Sequence, residues 1–314
     1  MDALSVGAVR AAEQVAQAHG ITVTSAEVVA DGSNLLVHLK PAPLLARVAT
    51  TTALLRRPIS AWLGRDVAVA AYLHAQGAPV VPPTDLLAPG PHQYDGYTMS
   101  FWQWVEHEAD ATLPTREAGP MLRDLHETLR GYRPAASSGE LPLLEIFNEI
   151  TRWLKFLEGR RALSGGELIQ LRETHWRLAE TLRYGGRAIQ PIHGDAHRKN
   201  LLKTEKGWLW TDFEDACGGP TAWDVACLVR TAPEGVEAAL ASYPGAPTWD
   251  ELLPYLRARE LEAVVYWQLQ AQRFPEQRAE AHAKLRDWQR RHPAVALTSV
   301  SKPSVGKSPP GNAS

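Results

Sequence analysis

Two short segments hold the side chains best suited to chemistry. Pro191-Ile192-His193-Gly194-Asp195-Ala196-His197-Arg198-Lys199-Asn200 comes first, and Trp208-Leu209-Trp210-Thr211-Asp212-Phe213-Glu214-Asp215 follows within a hairpin's length. Asp195 lies in a loop just after the strand-like run 188–192. A carboxylate there can accept a hydrogen bond from a substrate hydroxyl and orient its lone pair toward a γ-phosphorus. Gly194 before it permits a tight or left-handed backbone. Asn200 lies five residues on, so the loop can fold back and bring its amide oxygen to a metal, and Asp212 follows the short strand-like run 208–211. One carboxylate and one amide oxygen suit Mg2+, which favours hard oxygens and few protein ligands. Phosphoryl transfer asks for an in-line hydroxyl, neutralised phosphate charge and exclusion of water, with little covalent work from the protein.

These two segments resemble those of the aminoglycoside phosphotransferase and choline kinase group, relatives of the protein kinases. The group's catalytic loop reads H-G-D-x-H-x-x-N, present in full from His193 to Asn200. Its metal segment, I-D-F-D/E-D-A-G-x-G-P followed by W-D-L-A, corresponds to residues 211–220 and then Trp223-Asp224-Val225-Ala226. The resemblance implies Asp195 as catalytic base, Asn200 and Asp212 as magnesium ligands, Glu214 assisting a second metal, and Asp224 bracing the catalytic loop. His193 reads as a loop brace and His197 as a support near the metal loop. His193, Asp195 and His197 also mimic a chelating cluster, but no further ligand with zinc-site spacing follows. Asp215 is open to a solvated reading.

In the kinase-like scheme a turn between the first strands covers the phosphates, and a base on the third strand, held by an acid on the next helix, contacts them. The turn here is Asp31-Gly32-Ser33-Asn34, with Gly32, Ser33 and Asn34 as nucleotide-binding candidates. The base is Arg47, where the family usually carries lysine, and the acid is Asp66, where glutamate is usual. A longer base with a shorter acid keeps the reach, so an Arg47–Asp66 pair is expected. The nucleotide base is expected against the connector 100–106, with Ser100 and Trp102 beside it and Met99 and Phe101 either flanking it or in the core. Acceptor candidates are Glu106 and Asp110 in an acidic cluster, and Trp267 among several aromatic residues. Arg257, Arg259 and Arg273 stand beside Glu260, Glu262 and Glu276, a mixture that singles out no polycationic acceptor.

The elements that must position these groups follow from periodicity. Apolar residues at helical spacing over 6–19 predict a helix stopped by Gly20. Strands are predicted at 27–30, 35–39 and 44–49, a helix capped by Ser60 at 60–76, and a hairpin from Leu86-Leu87 and residues 97–102. Helices are predicted at 115–130, 143–158 and 165–184, and again between 221 and 292. The resulting fold class is α+β: a bilobal protein-kinase-like fold with a small N-terminal antiparallel β lobe, one main helix in it, and a large, mostly helical C-terminal lobe. The expected divisions are 1–104 for nucleotide binding and 105–292 for catalysis and acceptor binding. Residues 293–314, rich in Ser, Pro, Gly and Lys, are expected to be disordered.

Composition narrows the function classes. Lys and Arg number 33 against 35 Asp and Glu, which argues against a nucleic-acid binder working through bulk charge. No apolar run is long enough to span a bilayer and the start does not read as a signal peptide, so no membrane partner is expected. Cys217 and Cys227, the two cysteines, read as small buried apolar residues rather than a disulfide or catalytic thiol, and a reducing cytoplasm is the expected location. The function expected is transfer of the γ-phosphate of ATP or GTP, with Mg2+, to a hydroxyl of an antibiotic such as an aminoglycoside or nucleoside-type compound, giving resistance. A metabolic kinase for a choline-like, sugar or amino-acid alcohol is the alternative within the enzyme class. A nucleotide-sensing pseudokinase is the alternative outside it, opposed by intact Asp195, Asn200 and Asp212. A protein kinase ranks low, because the W-D-V-A segment leaves no room for an activation segment.

Overall fold

Small apolar residues on one face, Ala8, Ala11, Ala12, Val15 and Ala16, make α1 (Ala3–Ala18) a helix that can lie flat on a sheet. Asp2 caps it by accepting the Ser5 N–H at 2.8 Å. The computed structural model describes residues 2–135, 140–183, 187–232 and 235–293. The expectation for the tail therefore falls outside the described residues, Pro293 excepted.

Five antiparallel strands follow: β1 (Val23–Asp31), β2 (Asn34–Pro41), β3 (Leu44–Ala49), β4 (His92–Tyr94) and β5 (Tyr97–Gln103), in the order β1-β2-β3-β5-β4. Alternation along the strands sends Leu35, Val37, Leu39, Ala46 and Val48 into one core against α1. The same alternation turns Arg47, paired with Leu36 and Ser100 in the sheet, to the opposite face. Two predictions differ in detail. The hairpin partner of β5 is His92–Tyr94, while Leu87 is buried in the core beside it. The main helix, α3 (Ile59–Ala75), starts after Pro58 rather than at a Ser60 cap, and a short α2 (Thr51–Leu55) precedes it.

The C-terminal lobe contains α4 (Thr115–Leu129), α5 (Ile146–Gly159), α6 (Gly165–Arg183), α7 (Ala222–Arg230), α8 (Val236–Ser242), α9 (Trp249–Arg273) and α10 (Arg278–Arg291). Between α6 and α7 lie two small antiparallel pairs. One joins β6 (Gln190–Ile192) to β9 (Cys217–Gly219), and the other joins β7 (Leu201–Thr204) to β8 (Gly207–Trp210). These pairs hold the two motif loops side by side. A Thr248–Glu251 capping box fixes the start of α9. The α3 residues Val69, Ala70 and Leu73 share one core with Leu122, Trp210, Trp223 and Leu228, so apolar packing continues from the first lobe into the second. The architecture is the α+β bilobal, protein-kinase-like one.

Candidate active site between the lobes

The loop after β6 is fixed by the segment that opens α7. Asp224 is fully buried and accepts three hydrogen bonds, from the His193 N–H at 2.8 Å, the Gly194 N–H at 2.9 Å and His126 Nε2 at 2.9 Å. The Trp223 indole donates to the Gly194 carbonyl at 2.7 Å. Gly194 has φ +87°, and a Cβ there would lie 2.0 Å from the Asp215 carbonyl oxygen, so both the backbone twist and the close approach require glycine. His193 uses both ring nitrogens on the main chain, at Thr211 O (3.1 Å) and the Asp195 N–H (3.3 Å), which leaves none for a metal. Asn200 donates its amide N–H to the Asp195 carbonyl at 2.9 Å, folding the loop back as expected and leaving its amide oxygen for the cleft.

The Asp195 carboxylate is held at both oxygens. Arg259 Nη2 donates to Oδ1, and His197 Nε2 lies 3.2 Å from Oδ2. Burial pushes the Asp195 carboxyl up, but Arg259 and then His197 outweigh it and hold it well below the usual carboxylate range. His197 therefore touches Asp195 itself rather than standing behind the metal loop. Burial opposes the charged imidazole, yet Asp195 raises it above its ordinary value. Arg259 escaped the sequence reading, which saw only mixed charge along this helix. A signal was present: Tyr255, Arg259 and Glu262 recur at helical spacing on a face that otherwise buries Leu252 and Leu256. A charge in a buried stripe marks a site.

Across the cleft, Arg47 Nη1 donates to Asp66 Oδ2 at 2.8 Å and to Asp212 Oδ1 at 2.7 Å. The expected pair is present, and the same guanidinium reaches the second motif. Asp66 also accepts the Phe213 N–H at 2.8 Å; burial pushes its carboxyl up to about 7 against the pull of Arg47. Asp212 has φ +70°, uncommon for a residue with a Cβ and typical of strained functional positions. Burial raises its carboxyl, but Arg47 overrides this and lowers it, so it stays charged. Its Oδ2 and the Asn200 amide oxygen are the hard donors offered to one cavity, a set that fits Mg2+. Glu214 fits less well as a ligand. Asn34 Nδ2 donates to its Oε2 at 3.0 Å and Arg56 Nη1 pairs with its Oε1 at 2.9 Å.

Arg56, also missed, is buried among carboxylates. It grips Glu149 through Nε (2.7 Å) and Nη2 (2.9 Å), and Nη2 also donates to Asp215 Oδ1 at 2.7 Å. Asp215 is thus an ion-paired wall of the site, not a solvated side chain. Burial raises both Cys217, to about 12, and Cys227, so neither is a nucleophile at neutral pH.

Gly32, Ser33 and Asn34 line a cavity of about 710 Å³ together with Arg47, Asp195, Asn200, Asp212 and Trp267. The turn is tied down to α9. The Ser33 hydroxyl bonds to the Tyr266 hydroxyl, and Arg273 Nη1 donates to the Gly32 carbonyl at 3.0 Å. A second, narrower cavity of about 230 Å³ adjoins it, lined by Ala30, Leu36, Leu45, Trp102 and Leu202 and reaching Asn200 and Asp212. Its apolar walls suit a flat heterocycle. Ser100 does not face either cavity: it is fully buried and its hydroxyl accepts from the Trp102 indole at 3.0 Å, so it holds the ring that does. Met99 and Phe101 are core. Glu106 and Asp110 are exposed and line neither cavity; Glu106 Oε1 accepts from the Trp104 indole at 2.7 Å instead. Within the connector it is Gln103, Trp104, Val105 and His107 that line the smaller cavity, while the acidic residues between and beyond them stay exposed.

The phosphotransferase enzyme family model matches residues 30–255, most of the chain. Among solved structures, an amicoumacin kinase in complex with AMP-PNP, Ca2+ and Ami is similar at 13% identity and TM-score 0.66, covering 93% of this chain and 97% of that one. The microcompartment-associated aminopropanol kinase is similar at 20% identity and TM-score 0.65, covering 89% and 96%. The GDP and kanamycin complex of APH(2")-IIia is similar at 17% identity and TM-score 0.64, covering 87% and 95%. At these identities the likeness is one of fold.

Proposed function

The chain belongs to the phosphotransferase enzyme family, and from that premise we propose that it moves the γ-phosphate of ATP or GTP to a hydroxyl of a small molecule held between the lobes. The observation that carries this is the convergence of Asp195, Asn200 and Asp212 on one cavity whose roof is the 32–34 turn and whose wall is Arg47. Asp195 orients the acceptor hydroxyl and takes its hydrogen bond as the oxygen approaches phosphorus. Arg259 and His197 fix its two oxygens. Arg47, kept in place by Asp66, reaches the phosphates as a fork rather than a point. Asn200 and Asp212 would hold Mg2+, which supplies charge neutralisation between the phosphates when bound. Glu214 ties Asn34 to Arg56 and thereby ties the turn to the floor of the site. Trp102 and its apolar neighbours receive the nucleotide base. In this scheme residues 1–104 bind nucleotide and 105–292 bind the acceptor.

The acceptor proposed is a ring-bearing small molecule, because Trp153, Tyr266 and Trp267 line the far side of the cavity. Antibiotic inactivation is the role proposed first, since a transferred phosphate adds charge and bulk; kanamycin and amicoumacin are ligands of two of the similar structures. Glu106 and Asp110 line neither cavity, so they do not single out a polycation, and a metabolic alcohol is the second reading. No helix among the described residues is long and apolar enough to cross a membrane. The cytoplasm is the proposed compartment, where nucleoside triphosphate and Mg2+ are present. The test is a panel of hydroxyl-bearing antibiotics and metabolites with ATP and GTP in parallel, read as nucleotide-dependent gain of one phosphate mass. Asp195→Ala should lose transfer by about 10²–10⁴-fold with nucleotide binding retained. Normal turnover in that variant would remove Asp195 from the mechanism.

A further inference from the structure

Resting on the kinase reading above, we infer that Arg273 is a positioning residue for the transfer: through α9 it sets the place of the 31–34 turn relative to Asp195. One face of α9 runs the length of the main cavity. Arg259, Glu262, Ala263, Tyr266 and Trp267 recur at helical spacing along its wall, and Gln270 and Arg273 continue the stripe beyond it. Arg259 holds Asp195 at one end. Arg273 holds the turn at the other and does not itself line the cavity.

The grip on the turn is many-sided. Arg273 Nη1 donates to the Gly32 carbonyl at 3.0 Å, to Thr50 Oγ1 at 3.0 Å and to Thr51 Oγ1 at 2.9 Å. Its Nη2 donates to Asp31 Oδ1 at 2.7 Å and to Ser5 Oγ at 3.0 Å, and the Ser5 hydroxyl donates in turn to Asp31 Oδ2 at 2.6 Å. The start of α2 joins in: Thr51 Oγ1 donates to the Gly32 carbonyl at 3.2 Å, and the Thr52 N–H to the Ser33 carbonyl at 3.1 Å. The Arg273 side chain is 8% exposed, so these acceptors must offset the loss of water around its charge. Two turns earlier on the helix, the Tyr266 hydroxyl accepts from Gln270 and meets the Ser33 hydroxyl. The base of the turn is tied separately, Asn34 to Glu214, so the contacts from α9 bear on its tip.

A helix can carry this geometry because it is stiff. The stretch from Arg259 to Arg273 spans about 21 Å at about 1.5 Å per residue. Pro254 lies before it, so no proline bends it. Leu261, Val264, Val265 and Leu269 bury its back in one core with α5, α6 and α10. Transfer requires the attacking oxygen within about 3–3.5 Å of phosphorus. Asp195 places the hydroxyl and the turn covers the phosphates, so the separation of these two loops decides whether the reactants meet. Both loops are fastened by an arginine to the same rigid helix, and the site is spaced before nucleotide arrives.

The test titrates the full chain, with Mg2+, with AMP-PNP and GMP-PNP, and with adenosine and guanosine as controls. Arg273→Ala should weaken the better triphosphate analogue by at least about tenfold, the effect of losing charge-assisted hydrogen bonds to the turn, and leave nucleoside binding unchanged. Amide exchange at Gly32 and Thr52 should quicken while the β2–β3 pair stays protected. With any acceptor that gains phosphate, kcat should fall by about 10²-fold and the acceptor KM should hold, because alignment rather than binding is lost. Arg273→Lys keeps the charge but cannot span both sets of acceptors, so it should fall between the two proteins. It carries the test if the alanine variant does not fold. Analogue affinity within about twofold of the unmodified protein, equal weakening of analogue and nucleoside, or unchanged exchange at both amides overturns the positioning role and leaves the kinase reading standing. An unmodified protein that binds neither analogue counts against both.

Discussion

Removing the Asp224 carboxylate is the sharpest perturbation of the loop that carries Asp195. In Asp224→Ala the His193 and Gly194 amides and His126 Nε2 lose their shared partner inside a fully buried pocket. Each buried donor left unmade costs about 1–3 kcal/mol, and with partial relaxation the sum is roughly 3–6 kcal/mol. That is a large share of a typical domain stability of about 5–15 kcal/mol. For a chain of 314 residues the urea slope lies toward the upper end of the small-protein range, about 3 kcal/mol per molar, so the unfolding midpoint should fall by roughly 1–2 M. Asp224→Asn fills the same volume but turns an NH₂ group toward at least one of these donors, so it should recover only part of the loss. Amide exchange at His193 and Gly194 supplies the local readout, because these N–H groups would open to water while the α5–α9 core stays protected. Transfer should fall by about 10²-fold or more as Asp195 moves out of line. A midpoint within about 0.3 M of the unmodified protein, together with unchanged exchange at both amides, would refute the claim that Asp224 anchors the loop.

Arg47→Ala should weaken triphosphate binding by about 10–100-fold, the worth of a charge-assisted contact, and leave nucleoside binding alone. The same change strips a shared partner from Asp66, Asp212 and Glu214 and should cost about 3–5 kcal/mol of stability; equal weakening of nucleoside and triphosphate in a titration would reject the phosphate contact. His175 bonds Thr151 Oγ1 at 2.9 Å, and burial, then Arg183, lower its imidazole from 6.5 to about 4. The unfolded chain therefore binds a proton at higher pH than the native one, so this contribution to stability is whole above pH 6.5 and is lost as pH falls toward 4. His175→Gln should flatten the stability profile across that window; identical acid slopes in urea titrations of the two proteins would assign the effect elsewhere.

The sequence determined what depends on neighbours along the chain. The period of two that buries Ala46 and Val48 also turns Arg47 to the cleft. The H-G-D-x-H-x-x-N and W-D-V-A spacings brought Asp195, Asn200 and Asp224 into one loop and its brace. The Arg47–Asp66 pair was legible from the resemblance, which puts a base on the third strand and an acid on the main helix after it, and the short α2 between them does not disturb it. Tertiary packing decided the rest. The Asp195–Arg259 pair spans 64 residues and the Arg56–Glu149 pair spans 93, and no local pattern fixes which turn of a long helix meets a distant loop. The packing of the connector gave Trp104, Val105 and His107 to the cleft and left Glu106 and Asp110 exposed, and Ser100 is buried holding the Trp102 indole. Periodicity reports which face of an element is apolar; only the docking of that face onto others determines which polar side chains of the remaining faces come within hydrogen-bond distance.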